Sequence, residues 1–244
     1  MRKRFAALFA VAASVGAAHS TSAADIPART PVTKAPVAVV AYNWSGLYIG
    51  GNAGAAWQQN CWTFTTPGPV DEGCHNDTNV VAGGQIGVNW QVNNIVWGLE
   101  ASGDWANLKG SSVSLGFPTF TNETRTDTIA LFTGRVGVAW DNVLAYVKGG
   151  GALTRNQYRT FVTATPFAFD DVTDTRWGWT AGGGLEWGFG PNWSWAVEYN
   201  YIDTGSKNEN FTTGLACTLP CVDVISQQIH MTTLRVNYRF APWR

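Results

Sequence analysis

Eleven charged side chains carry the chemistry this sequence could perform. The carboxylates are Glu100, Asp104, Asp127, Glu186 and Glu198, and the cations are Arg125, Arg135, Lys148, Arg176, Arg235 and Arg239. If each stretch around them is extended, side chains two apart share a face, and strand parity sends all eleven to one side. Carboxylates gathered in one space could serve as the acid and base of a glycosidase or a protease. Carboxylates mixed with a similar number of cations also suit a salt-bridge network, because isolated buried charges are expensive and must be paired. The near balance of signs favours the network, so no catalytic residue is assigned.

Other chemistries find little support. The three histidines, His19, His75 and His230, form no Ser/His/Asp arrangement with neighbours in a suitable context. The glycine runs Gly149–Gly151 and Gly182–Gly184 sit within extended stretches rather than at the strand-to-helix turn that a phosphate site requires. Four cysteines fall into two local pairs, Cys61 with Cys74 and Cys217 with Cys221. Neither pair offers a set of four metal ligands, with His75 included, so disulfides that staple two loops are the expected use. No metal and no cofactor is expected.

Eight segments of period two must position the charged set. They run over about Ser45–Trp57, Asn79–Gln91, Ile95–Trp105, Arg125–Trp140, Val143–Leu153, Arg176–Phe189, Trp193–Asp203 and Ile229–Phe240. Short turns at Asn93-Asn94, Asp141-Asn142 and Gly190–Asn192 alternate with long polar connections, the first of which carries Cys61 and Cys74. In the sixth segment Trp177, Trp179, Leu185, Trp187 and Phe189 share one face, while Arg176 and Glu186 share the other. Ile129 and Leu131 break the rule by falling on the charged face.

Trp177 and Trp187 are ten residues apart on one face, which at ~3.3 Å per residue and a tilt of roughly 40° is a rise of about 25 Å. That is the height of a lipid-facing apolar band with an aromatic girdle at each interface. Most of the thirteen tryptophans fit such girdles. Trp44, Trp90, Trp97, Trp140, Trp187, Trp193 and Trp195 map to one end, and Trp57, Trp105, Trp177 and Trp179 to the other. Hydrocarbon satisfies no backbone N–H or C=O group, so strands that cross it must close into a barrel. The expected fold is therefore all-β: an eight-stranded antiparallel up-and-down transmembrane β-barrel. An eight-stranded interior holds only its own side chains, so a plugged lumen is expected.

The start of the chain agrees with export. Arg2, Lys3 and Arg4 precede an apolar run from Phe5 to Ala18 and small residues at Ser22 and Ala24, which is the pattern of a signal peptide over residues 1–24 cleaved before Asp25. Pro27, Pro31 and Pro36 then favour extended, unpaired chain in a periplasmic lead-in over 25–43, with the barrel domain over 44–244. Loss of Arg2, Lys3 and Arg4 leaves 13 basic against 17 acidic residues, a net charge of −4, and nothing points to a nucleic-acid partner. Short turns on one side and long connections on the other place the latter at the cell surface.

Five stretches carry a family resemblance in order: Tyr42–Gly51, Thr133–Trp140, Gly178–Gly188, Trp195–Asp203 and Leu234–Phe240. The chain resembles the alpha-proteobacterial outer-membrane immunogenic proteins, small porin-like eight-stranded barrels, over about Tyr42 to Phe240. The resemblance implies location and fold more firmly than activity. Leu234, Val236, Tyr238 and Phe240 look like the terminal-strand signal read by the barrel assembly machinery, although Ala241–Arg244 follow where relatives end. The expected partners are outer-membrane lipid and that machinery, with no surface ligand named. The expected function is a non-enzymatic outer-membrane protein that supports the envelope and displays surface loops. The alternative is a narrow porin or a surface receptor for a small ligand such as haem.

Overall fold

Alternating apolar and polar residues, punctuated by Asn, Asp and Gly at turns, produce eight strands and no helix among the described residues. The computed structural model describes residues 42–65, 68–116, 118–164, 168–211 and 221–240. The signal peptide, all of the lead-in before Tyr42, Cys217 and the residues after Phe240 lie outside this set. So does the side chain of Cys221, and with it the second expected disulfide.

The strands are β1 (Gly46–Phe64), β2 (Val70–Val92), β3 (Ile95–Val113), β4 (Phe120–Trp140), β5 (Val143–Val162), β6 (Ala168–Phe189), β7 (Trp193–Phe211) and β8 (Cys221–Arg239). Each pairs antiparallel with its neighbours in sequence, and β8 closes on β1. The ring leaves no free edge. The three tight turns carry positive φ at Asn93 (56°), Asp141 (49°) and Gly190 (74°), which Asn, Asp and Gly accept most readily.

The strands begin near the expected residues on the short-turn side but run well past them on the other. β2 has 23 residues, which at ~3.3 Å per residue and a tilt of roughly 40° rises close to 60 Å, about twice a hydrocarbon core. The stretches expected as long polar loops are thus largely extended hairpins standing in water, where polar residues suit both faces and the apolar alternation fades. The aromatic belts hold: Trp90, Trp97, Trp140, Trp193 and Trp195 are exposed at one level, and Trp57, Trp105, Trp177 and Trp179 at the other. Trp187 stacks on Trp195 at 4.4 Å. Trp44 does not belong to a belt; it is fully buried inside the barrel.

Cys61 and Cys74 form a disulfide, not in a loop but directly opposite each other on β1 and β2, beyond Trp57. It closes 13 residues around the β1–β2 tip. In the chain-entropy account such a link contributes about 3 kcal/mol. A Cys61→Ala/Cys74→Ala variant is therefore expected to lose about that much local stability at the β1–β2 tip, read as faster amide exchange there, with the urea midpoint of the barrel below unchanged. Unchanged exchange at the tip contradicts this assignment.

Candidate functional site

Inward side chains fill the lumen in successive layers, and the chemistry lies in the lowest two. At the mouth on the short-turn side Trp44 enters the barrel and packs with Val96, Ala139, Leu144 and Tyr146. Its backbone N–H donates to Gln91 Oε1 at 2.8 Å, and Ser45 Oγ accepts from the Gln91 N–H at 3.0 Å. The Arg239 guanidinium lies 4.8 Å from the rings of both Tyr42 and Trp44, and donates to the Asn43 carbonyl at 2.9 Å. Tyr42, Asn43 and Trp44, just before β1, thereby cork the mouth. A tryptophan just before the first strand reads as an interface anchor in sequence; only ring closure creates the mouth that it fills.

Above the cork sits the charge layer. Glu100 accepts from Lys148 Nζ at 2.9 Å and Arg235 Nη2 at 2.7 Å. Glu198 accepts from Lys148 Nζ at 2.8 Å and from Arg235 Nη1. Two carboxylates and two cations thus form a closed ring contributed by β3, β5, β7 and β8. Arg135 lies 3.4 Å from Glu186 and 3.9 Å from Glu100, with its guanidinium 4.7 and 5.0 Å from the Tyr48 and Tyr146 ring centres. Glu186 also accepts from Ser194 and Asn237, and lies 3.8 Å from Arg239. The side chains of Glu100, Arg135, Lys148 and Glu186 are each 1% exposed. Asp104 is buried just above, with neither carboxylate oxygen hydrogen-bonded within the protein.

Two inward tyrosines set the geometry of the ring. Tyr48 on β1 stands opposite Gly87 on β2, which stands opposite Glu100 on β3. The tyrosine lies across the glycine and its hydroxyl donates to Glu100 at 2.6 Å. The same unit recurs on β5–β7, where Tyr146 lies across Gly184 and donates to Glu198 at 2.6 Å. Each carboxylate of the ring is therefore oriented by a tyrosine two strands away, through a gap that only glycine leaves. Parity places both tyrosines inward. Their partnership needs the cross-strand register, which a sequence read one strand at a time does not contain.

An apolar layer caps the charges. Ala56, Val81, Ala106, Leu108, Ile129, Leu131, Ala152, Ile202, Ile229 and Met231 form one cluster drawn from seven of the eight strands. Ile129 and Leu131, which break the polar-inward rule, belong here. Over it lies a layer of amides and hydroxyls, in which Gln227 Nε2 donates to Thr126 Oγ1 and Asn156 Oδ1, both at 3.1 Å.

The remaining charged residues lie elsewhere. Arg176 is buried higher in the lumen, donating to the Ile225 carbonyl at 2.8 Å and lying 3.4 Å from Glu209, with Tyr158 under its guanidinium. Arg125 and Asp127 are not in the lumen. They pair with each other at 2.6 Å on the outer surface, with side chains 43% and 38% exposed. The cause is a bulge between Thr126 and Thr128 that exchanges the two faces of β4 above it, so Thr124 and Thr126 turn inward instead. Leu234, Val236 and Phe240 of the terminal-strand pattern are exposed on the outer surface, and Tyr238 stacks edge-on to Phe240.

At the upper mouth, above the outer aromatic belt, burial beside Glu72 pushes the Asp223 carboxyl up to about 7, and burial also raises Glu72. Folding thus favours a proton on Asp223 that the unfolded chain has lost. This stability is full below the ordinary carboxylate range and disappears as pH rises through about 7. Burial lowers His75, which has the opposite sign. Corrected for the base-catalysed rise in intrinsic exchange, amides at the Asp223–Phe64 pairing are expected to be less protected at pH 8 than at pH 5. The difference should vanish in Asp223→Asn; a difference that survives the substitution contradicts the assignment.

Comparison with known proteins places these observations. Residues 5–240 match a family model described as the outer membrane protein beta-barrel domain. A 31 kDa outer-membrane immunogenic protein of Brucella melitensis is 30% identical, with 94% of this chain and 98% of that protein covered. A 25 kDa outer-membrane immunogenic protein of Brucella abortus is 29% identical over 76% of this chain and 78% of its own length. Among solved structures, the outer membrane protease OmpT from Escherichia coli superposes with a TM-score of 0.51 at 8% identity, over 80% of this chain and 97% of that one. That likeness is one of fold alone.

Proposed function

The chain belongs to the outer membrane protein beta-barrel domain family, among the outer-membrane immunogenic proteins of alpha-proteobacteria, and from that membership we propose that it is a non-enzymatic barrel that braces the envelope and displays surface hairpins. It resides in the outer membrane of a Gram-negative cell. The observation that carries the proposal is the filled lumen, in which a buried ring of ion pairs lies beneath an apolar layer. An ion moving along the axis would have to displace paired charges and then cross apolar side chains without solvent, each step costing several kcal/mol.

Catalysis is disfavoured for the same reason. Glu100 and Glu198 are held on both sides by cations and a tyrosine hydroxyl, so neither is free to exchange a proton with a substrate. The lipid around the belts is the expected partner of the outer face. The exposed Leu234, Val236 and Phe240, with Tyr238, offer the terminal strand to the assembly machinery.

Deleting the gene is expected to sensitise cells to detergent with chelator, and supplying the wild-type chain should restore the barrier. An intact barrier together with lost uptake of a solute would support a porin or receptor instead.

A further inference from the structure

The bulge in β4 turns Arg125 outward onto a small cationic ledge. Arg125 stands directly opposite Lys109 on β3, and Arg155 lies on the neighbouring strand opposite Thr128. Like charges placed directly opposite in a sheet destabilise it, and the compensation here is partial. Lys109 lies 3.1 Å from Glu123 and Arg125 2.6 Å from Asp127, while Arg155 is exposed and makes no ion pair among the described residues. The ledge therefore carries a surplus cation beside two that are already crowded.

Its height is informative. Lys109 is four residues beyond the belt residue Trp105 on β3, about 10 Å at ~3.3 Å per residue and a tilt of roughly 40°. Arg155 is two residues beyond Leu153, the partner of the belt residue Trp177, which is about 5 Å. Headgroups occupy this depth just outside the hydrocarbon core. Below the ledge a groove of 460 Å³ opens on the lipid face between Ile49, Gly84, Ile86, Ala101, Gly103 and Phe132. At Gly103 no atom lies within 4 Å of where a Cβ would stand, so the groove floor is open there.

We propose that Lys109, Arg125 and Arg155 seat the phosphate of an outer-leaflet phosphorylated saccharolipid, with one of its acyl chains lying in the groove beneath. Guanidinium groups suit this role because they bind phosphate through paired N–H donors, and a phosphate relieves the Lys109–Arg125 repulsion that the two carboxylates only partly offset. The bulge at Thr126–Thr128 then has a purpose: without it Arg125 would point into the lumen.

The probe is a bisphosphorylated glucosamine-disaccharide lipid, titrated against the full chain folded in zwitterionic detergent and read by native mass spectrometry. Its dephosphorylated form, phosphatidylglycerol and inorganic phosphate serve as competitors. At about fivefold per cation near a lipid surface, the wild-type chain is expected to prefer the phosphorylated lipid over its dephosphorylated form by about 100-fold. The preference should fall to within about threefold in Lys109→Gln/Arg125→Gln/Arg155→Gln, and by about fivefold in Arg155→Gln alone. Lys207→Gln, which removes an exposed cation on β7, should leave it unchanged. A gel shift on boiling reports that each variant is folded. Equal binding by wild type and Arg155→Gln overturns the proposal, as does phosphatidylglycerol or inorganic phosphate competing on equal terms.

Discussion

Arg235→Met is expected to destabilise the barrel by about 3–5 kcal/mol, the largest effect of any single charge removal considered. The Arg235 guanidinium bonds both Glu100 and Glu198, and its loss leaves two sealed carboxylates sharing Lys148. Methionine fills much of the same volume, so the loss reports uncompensated charge rather than a cavity. Arg235→Lys should fall between, because one ammonium cannot present the forked donors that reach both carboxylates. Arg125→Met is the internal comparison. It lies on the outer surface beside Asp127 and should cost under about 1 kcal/mol. Urea unfolding in lipid vesicles, followed by the gel shift and tryptophan fluorescence, measures all three. Equal losses for Arg235→Met and Arg125→Met would contradict the lumen assignment of the first and the outward assignment of the second.

Gly87→Ala and Gly184→Ala are each expected to cost about 3 kcal/mol, combining overpacking with loss of a hydrogen bond to a charged group. A Cβ at Gly87 would stand 2.3 Å from the Tyr48 hydroxyl, and one at Gly184 2.8 Å from that of Tyr146. Neither tyrosine could then reach its carboxylate. Gly103→Ala, with nothing within 4 Å of the added atom, should be neutral or slightly stabilising. Tyr48→Phe separates the two contributions, since it removes the hydroxyl that binds Glu100 without inserting a methyl group. If Gly87→Ala matches Gly103→Ala, the tyrosine does not lie across the glycine as described.

Much of this architecture is legible in the sequence, for identifiable reasons. Inside the membrane every strand has one lipid face and one polar face, so period two survives and parity sends Glu100, Arg135, Lys148, Glu186, Glu198, Arg235 and Arg239 to one interior. Above the belt both faces meet water, the pattern weakens, and paired hairpins such as the one carrying Cys61 and Cys74 read as loops. Parity also propagates errors. One extra residue at the β4 bulge exchanges the faces beyond it, which is why Arg125 and Asp127 lie outside. Trp44 and the Tyr48–Gly87–Glu100 unit depend on closure and register across strands, relations between segments that no single segment records.

Conductance across a planar bilayer tests the central claim, that the barrel is closed along its axis. Purified, folded protein whose mobility shifts on boiling should insert without producing stable current steps. Reproducible, ion-selective steps from the same protein, absent after boiling, would contradict the filled lumen and make the chain a pore.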